Sequence, residues 1–539
     1  MADFTSKLPF FTFPDSLVEQ EEALASNPLM QRMLAYRHRY DHDPHRPLFH
    51  FVNPEGSLND PNGLCHWQRR WHLFYQGRPP EDPRVHWGHA VSDDLIHWRD
   101  LPYAIYPNPE EECYSGTTLV EEDRVIAIYA GTEAGTMIAT SRDPLLLNWE
   151  KLTGGAVIRK ANPDDEPLPF YVGDPCIWKK GDDYYALLAG EQKTGPGQKH
   201  RRANYLMRSG DLEHWEYLHP FVEDDYYTLV GDDGSCPYFW PIGTGDQRRH
   251  VLLFFSHMSG GQYLIGNYDE ERDKLAVSDG GRFNFGPVSF GPEASGGVHA
   301  PSAAPNPDGS VTVIFNMTRG MDTENWDQLM TLPRNLRLDE NGEFLVTPAG
   351  DLASLRGRNK RIGAMKIPAN QDTALDGIHG NTMEIEAIID TKASSMVELD
   401  VLCSPDRDEV TRICFFRERG FYNRLYGARH FPDSPSTSSW FMEKRKDSVI
   451  TLDNTYSSKL AGVRTRGPET AQVFVAEDEL LRLRVFIDRS VVEVFVNERQ
   501  CLAQRVYPGR KDSTGVWLRA QGSEAVLESL DAWQMHSIY

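Results

Sequence analysis

Positive charge is scarce in this chain. Its 539 residues carry 56 lysines and arginines against 79 aspartates and glutamates, a formal net charge of −23. Nucleic acids and anionic membranes bind through basic faces, so neither is expected as a partner. Cysteine is scarce as well. The seven, Cys65, Cys113, Cys176, Cys236, Cys403, Cys414 and Cys501, are odd in number, scattered, and never spaced as C-x-x-C. A zinc site or a disulfide framework is therefore not expected, and no metal or organic cofactor is implied. No apolar run approaches the length that spans a membrane. The opening segment MADFTSKLPFFTFPDSL has no basic stretch followed by a long apolar core. The expectation is a cytoplasmic protein with reduced thiols. The G-x-S-x-G, H-E-x-x-H, Walker and dinucleotide fingerprints are missing too, which removes several enzyme classes.

What is present is a soluble, globular composition, 40% apolar and 25% charged, on a chain long enough for two or three domains. Residues 1–45 read as a separate, partly helical extension, with one short helix over Asn27 to Tyr40 and Leu29, Met33 and Leu34 on one side. Residues 46–350 carry short apolar runs, among them Trp71–Tyr75, Val125–Ala130, Tyr184–Leu188 and Val251–Phe255, divided by polar and Gly/Pro/Asp turns. Such a pattern predicts an all-β sandwich, barrel or propeller. Ser92 to Trp98 (SDDLIHW) and Ser209 to Trp215 (SGDLEHW) are alike, and Ser141 to Trp149 (SRDPLLLNW) is a looser copy. Repeats at this spacing favour a propeller. Residues 351–372 are locally basic and read as a linker. Residues 373–539 return to alternation, most clearly in Leu481 to Val496, where two apolar runs flank Asp488-Arg489-Ser490 as in a hairpin. A C-terminal β-sandwich is expected there.

The residue types that could carry chemistry are carboxylates in short Gly/Pro motifs. Asp60 lies in Asn59-Asp60-Pro61-Asn62-Gly63, Asp174 in Gly173-Asp174-Pro175, and Asp232 and Asp233 precede Gly234-Ser235-Cys236-Pro237. Proline fixes φ and Asn-Gly tolerates positive φ, so the first motif reads as a rigid turn at a strand end. Each motif falls in a different expected blade, and blades converge on one mouth. Two carboxylates about 5 Å apart there suit retaining glycoside hydrolysis. The 12 tryptophans and 22 tyrosines fit a sugar site and a β-core equally well.

The order of these blocks resembles glycoside hydrolase family 32, which holds invertases, fructanases and sucrose-6-phosphate hydrolases. Asn59 to Gly63 resembles its nucleophile motif. Phe74-Tyr75-Gln76, Trp87-Gly88-His89-Ala90, Ser92 to Trp98 and Leu101-Pro102 follow in order. Tyr114-Ser115-Gly116 resembles a sugar-contact motif, Leu332-Pro333-Arg334 the end of the propeller, and Phe486 to Val496 the sandwich hairpin. The resemblance implies a five-bladed β-propeller followed by a C-terminal β-sandwich, and a β-fructofuranosidase working by retaining double displacement on a small carbohydrate. It makes Asp60 the nucleophile and Asp174 a transition-state stabiliser. Asn59, Gln76, Trp87, Ser115 and Ser235 would line the sugar pocket, with Trp87 as an apolar wall.

Two motifs depart from the family. Its Arg-Asp-Pro is Gly173-Asp174-Pro175 here, and Arg142-Asp143-Pro144, which matches by letters, lies too early and reads as a decoy. The glutamate of its Glu-Cys-Pro acid/base motif is Ser235 in Ser235-Cys236-Pro237. A serine hydroxyl cannot replace a tuned carboxyl, and losing general acid catalysis costs roughly 10²–10⁴-fold. Asp233, two residues earlier and on the same face of a strand, is one candidate acid/base. Glu191, in Ala189-Gly190-Glu191-Gln192, is a second. Alternatives are a substrate that needs little protonation, a nearly inactive carbohydrate-binding relative, or a propeller that serves as an interaction scaffold. His299 could also reach the mouth.

Overall fold

The structure is a computed structural model describing residues 5–160, 172–194, 199–229, 231–257, 259–283, 297–324, 326–420, 422–424, 444–464 and 467–539; side chains are described for all but 191–202, 422–424 and 444–446. The chain divides into two compact units between Leu355 and Arg356, and His536–Tyr539 returns to the first.

The first unit holds five sheets of four or five strands among the described residues. They begin at the strands Ser57–Trp67, Cys113–Val120, Pro175–Lys180, Ser235–Ile242 and Val298–Pro305. Along the main path of each sheet the strands follow in chain order and pair antiparallel, with Ile158–Arg159 and Leu329–Met330 branching off it and Val222–Glu223 lying parallel to Lys274–Arg282. The five opening strands pack against one another in sequence, and the fifth packs against the first. This closed succession is consistent with a β-propeller.

Side-chain alternation explains the stacking. Val125, Ala127 and Tyr129 face Phe74 and Trp87 of the first sheet, while Ile126 and Ile128 face Ile177, Ala186 and Leu188 of the third. One strand thus feeds two cores, because successive side chains leave opposite faces. Burial on both faces is why the sequence shows continuous apolar runs here rather than alternation.

The three Ser-x-Asp…Trp repeats are turns closed by their aspartates. Asp94 accepts from the backbone N–H of Ile96 and His97, Asp211 from Glu213 and His214, and Asp143 from Leu145, Leu147 and Asn148. Arg142 pairs with Asp123 on the surface. The Arg142-Asp143-Pro144 triplet is thus a turn.

The N-terminal residues form two helices, Leu17–Ser26 and Pro28–Arg39, where one was expected. Ser16 caps the first, its Oγ accepting from the Glu19 N–H and donating to the Glu19 carboxylate. Asn27 ends that helix and caps the second, its side chain accepting from Leu29 and Met30 N–H. Leu24, Leu29 and Met33 are buried against the first unit, but Leu34 is exposed. Arg37 makes a two-pronged pair with Asp100 and lies over the Tyr539 ring.

Among the described residues the second unit has one sheet of seven strands, one of six, and the two-stranded pair Tyr422–Arg424 and Lys444–Lys446. Met383, Ile385 and Val485 from the first share a core with Val397, Leu399 and Ile413 from the second, as in a β-sandwich. Leu481–Asp488 and Val491–Val496 form the expected hairpin, with Asp488 opposite Val491 and Arg489 at φ +56°. The stretch 351–372, read as a linker, instead contains the 3₁₀ turn Leu352–Leu355 and the strands Arg356–Ile362 and Met365–Ile367, both paired with Ala525–Met535. Its exposed basic residues belong to an edge strand, where charge blocks stray pairing.

Candidate active site

The starts of the five opening strands meet at Asp60. The Asn59 to Gly63 motif is not a turn, as its letters suggested, but the body of the strand Ser57–Trp67. Two register shifts interrupt that strand, between Leu58 and Pro61 and between Asn62 and Cys65. Proline cannot donate to a ladder, so within a sheet it sits at such a bulge. Gly63 is at φ +50°, and a Cβ there would lie 2.6 Å from a Thr118 methyl and 3.2 Å from Phe74 and Trp87. Its N–H donates to the Tyr238 hydroxyl at 3.0 Å. Register shifts recur at Cys113/Gly116, Ser235/Tyr238 and Val298/Pro301. These bulges carry Ser115, Cys236 and His299, so four of the five opening strands bend where they supply the site.

Asp60 is 7% exposed. Its Oδ2 accepts from Ser115 Oγ at 2.6 Å and Gln76 Nε2 at 3.1 Å, with Cys236 Sγ at 3.6 Å. Its Oδ1 meets His299 Nδ1 at 3.1 Å. Burial alone would raise its pKa, but the bond and charge of His299, with the Ser115 and Cys236 bonds, hold it below the ordinary value. Gln76 also donates to Ser115 at 2.7 Å, and Asn59 donates to Gln76 Oε1 at 3.1 Å. Asn316 donates to Asn59 at 3.3 Å and to Gln328 at 2.7 Å, extending the network.

Asp174 stands directly before the third opening strand. Its Oδ2 accepts the Cys236 N–H at 3.0 Å and lies 3.5 Å from Cys236 Sγ. One sulfur therefore touches both carboxylates, which places their Oδ2 atoms within about 7 Å, the range of a carboxylate pair serving one reaction. Burial and the charge of Asp60 push Asp174 up to about 6. The two aspartates thus lie on opposite sides of the ordinary carboxylate value. Cys236 is at φ +51°. Burial and both carboxylates raise its thiol far above the usual range, so it is an S–H donor and not a nucleophile. A Cβ at Gly173 would lie 2.6 Å from the Ala189 carbonyl oxygen. That contact is the local reason glycine, and no arginine, precedes Asp174.

The other expected residues divide. Asn59, Gln76 and Ser115 join Asp60. Trp87 does not form an exposed wall: it is fully buried, donates to the Tyr114 carbonyl at 2.9 Å, and packs behind Gly63 between Phe74 and Tyr129. It backs the strand that carries Asp60. Asp233 is not in contact with Asp60 or Asp174; it accepts from Ser235 Oγ at 3.3 Å and from His257 N–H at 3.2 Å, and its Oδ2 meets His257 Nδ1. Glu191 has its backbone opposite Arg202, and its side chain lies outside the described residues. Cys236, His257 and Asn316 were not assigned from sequence. Their signal was cross-strand pairing, since Ser235 lies opposite Phe255 and Val298 opposite Met317.

A buried aspartate held ionised beside a second of higher pKa, on the bulged ends of a closed ring of sheets, defines a candidate carboxylate-pair hydrolase. The profile for the glycosyl hydrolases family 32 N-terminal domain matches residues 50–348, and that for its C-terminal domain matches residues 351–534. The chain belongs to glycoside hydrolase family 32. It is 25% identical to a levanase of Bacillus subtilis over 93% of this chain and 72% of that one. It is 26% identical to the sucrose-6-phosphate hydrolase of Escherichia coli over 94% and 98%. Fructan 1-exohydrolase IIa from Cichorium intybus superposes with a TM-score of 0.73 at 20% identity, covering 92% of this chain and 98% of that one.

Proposed function

We propose that this glycoside hydrolase is a retaining β-fructofuranosidase, that its five sheets are the blades of a five-bladed propeller, and that the second unit is a β-sandwich. The observation that carries the reaction is the Asp60 environment. Three donors and a histidine converge on one carboxylate, and a second carboxylate stands across Cys236. In the first step Asp60 attacks the anomeric carbon and the glycosidic C–O bond breaks. In the second, water attacks that carbon and the Asp60 ester bond breaks. Gln76 and Ser115 aim the carboxylate. Asp174, as an anion, faces the oxocarbenium-like transition state, and Asn59 and Ser235 are exposed enough to meet sugar hydroxyls.

Among the described residues, the partners of Asp60 and Asp233 include histidines and neither arginine nor lysine. The relatives' names, a levanase and sucrose-6-phosphate hydrolases, support the fructosyl class. The test is turnover of sucrose, levan and an aryl β-fructofuranoside, with the product anomer followed by NMR from the start. Release of β-fructofuranose first supports the reading. No turnover of any of the three overturns it.

A further inference from the structure

Retaining hydrolysis at Asp60 requires a group that gives a proton to the departing oxygen and later takes one from water. The described titratable groups around Asp60 include Asp174, Cys236, His299, the pair Asp233 and His257, and Tyr114, whose phenol burial raises above its ordinary value. Cys236 holds its proton too tightly. Asp174, although burial and the charge of Asp60 push it up to about 6, has its Oδ2 taken by the N–H and thiol of Cys236. His299 places its Nδ1 on the nucleophile itself.

The remaining pair is built as an acid. His257 follows the strand Arg249–Ser256, on which Phe255 lies opposite Ser235. It therefore stands beside the segment that carries Asp233. Asp233 binds it twice, at the backbone N–H and at Nδ1, and Ser235 Oγ steadies that carboxylate. A carboxylate on Nδ1 fixes the tautomer and directs Nε2 the other way. The His257 side chain is 39% exposed. Its ring is 6.2 Å from that of His299, and both border Phe255, at 5.1 and 3.8 Å. His299 in turn touches Asp60.

We propose that His257, held by Asp233, is the general acid and base of this site. The proposal rests on the reading of Asp60 as nucleophile. In the first step Asp60 Oδ forms a bond to the anomeric carbon, the C–O bond to the leaving group breaks, and the proton on His257 Nε2 passes to the leaving oxygen. In the second, neutral His257 takes a proton from water as its oxygen bonds to the anomeric carbon, and the ester to Asp60 breaks with its electron pair returning to the carboxylate. Burial opposes a charged His257, but the charges of Asp233, Asp174 and Asp60 outweigh it and raise its pKa above the ordinary histidine value. The imidazolium therefore persists to higher pH, and activity falls as pH rises through that raised value. Asp233 is a positioning residue, acting through His257.

The test compares sucrose, whose leaving group needs a proton, with an aryl fructofuranoside bearing a nitrophenolate, which does not. In His257→Gln, kcat/KM for sucrose should fall by roughly 10²–10³-fold, while release of nitrophenolate in the first turnover stays within about threefold and azide restores turnover. Asp233→Asn keeps the imidazole and should move the basic limb of the sucrose profile down by about 1 pH unit or more. Equal losses on both substrates, or an unmoved basic limb, overturn the proposal. So does a basic limb that is lost in Asp174→Asn and kept in His257→Gln. If the wild type cleaves only the aryl substrate, the dyad fails while the fructosidase reading stands. If the wild type cleaves neither, both fail.

Discussion

Glu384 in the second unit and Asp60 in the first are both buried, at 0% and 7% exposure, and their partners differ in kind. Glu384 is held by Arg356 through two bonds of 2.8 and 2.7 Å and by Arg484 at 2.6 Å. Arginine stays charged at any working pH, so this carboxylate faces fixed positive charge. Turning it into an ester would leave guanidinium groups without their counter-charge. Asp60 is held by an amide, a hydroxyl, a thiol and an imidazole. None of them is a guanidinium or an ammonium group. Such a carboxylate is ionised at rest yet can lose its charge to a covalent bond at small cost. What separates the two sites is therefore the kind of donor around each carboxylate, since burial is nearly the same.

The comparison breaks hardest at Asp60. Asp60→Asn should lower kcat by roughly 10⁴-fold or more with the fold intact, measured as turnover of the aryl fructoside with circular dichroism as the control. Asp174→Asn should cost roughly 10²–10³-fold. In the wild type, Asp174 takes up a proton as pH falls through about 6 and loses the negative charge that faces the transition state, so activity should decline on that side. The variant should lack that acid limb, and a limb unchanged by the substitution would assign it elsewhere. Glu384→Gln should act on stability alone. Its arginines are partly exposed, at 22% and 32%, so a loss of about 2 kcal/mol is expected, below that of a fully buried pair. Thermal denaturation checks it, and kcat at low temperature should be unchanged. The smallest effect belongs to Cys236→Ala. A thiol is a weak donor, so kcat should change by less than roughly tenfold. A loss as large as that of Asp174→Asn would make the sulfur a catalytic part.

Much of this was legible in the letters. The ordered blocks from Asn59 to Leu332 and the apolar runs gave the all-β organisation, and the hairpin at Asp488-Arg489-Ser490 was placed correctly. Asn59 to Gly63 was misread as a turn because Pro and Asn-Gly mark both turns and bulges. Only pairing with Arg70–Arg78 shows the motif to be a strand. The helix Leu17–Ser26 escaped because its LVEQEEALAS pattern buries just Gln20 and Leu24. The resemblance made Trp87 an apolar wall of the pocket, and exposure cannot be read from an aromatic letter. His257 was invisible for a topological reason: its nearness to Asp233 follows from strand pairing across a 24-residue separation, which no local motif records.

The central claim is that Asp60, freed of arginine, becomes covalently linked to the sugar. Rapid denaturing quench of the reaction with an aryl fructofuranoside, followed by peptide mapping, tests it directly. The account predicts a fructosyl ester on the peptide containing Asp60 and on no other, absent from Asp60→Asn. A sugar ester on a different carboxylate, or an initial product of inverted configuration, would contradict it.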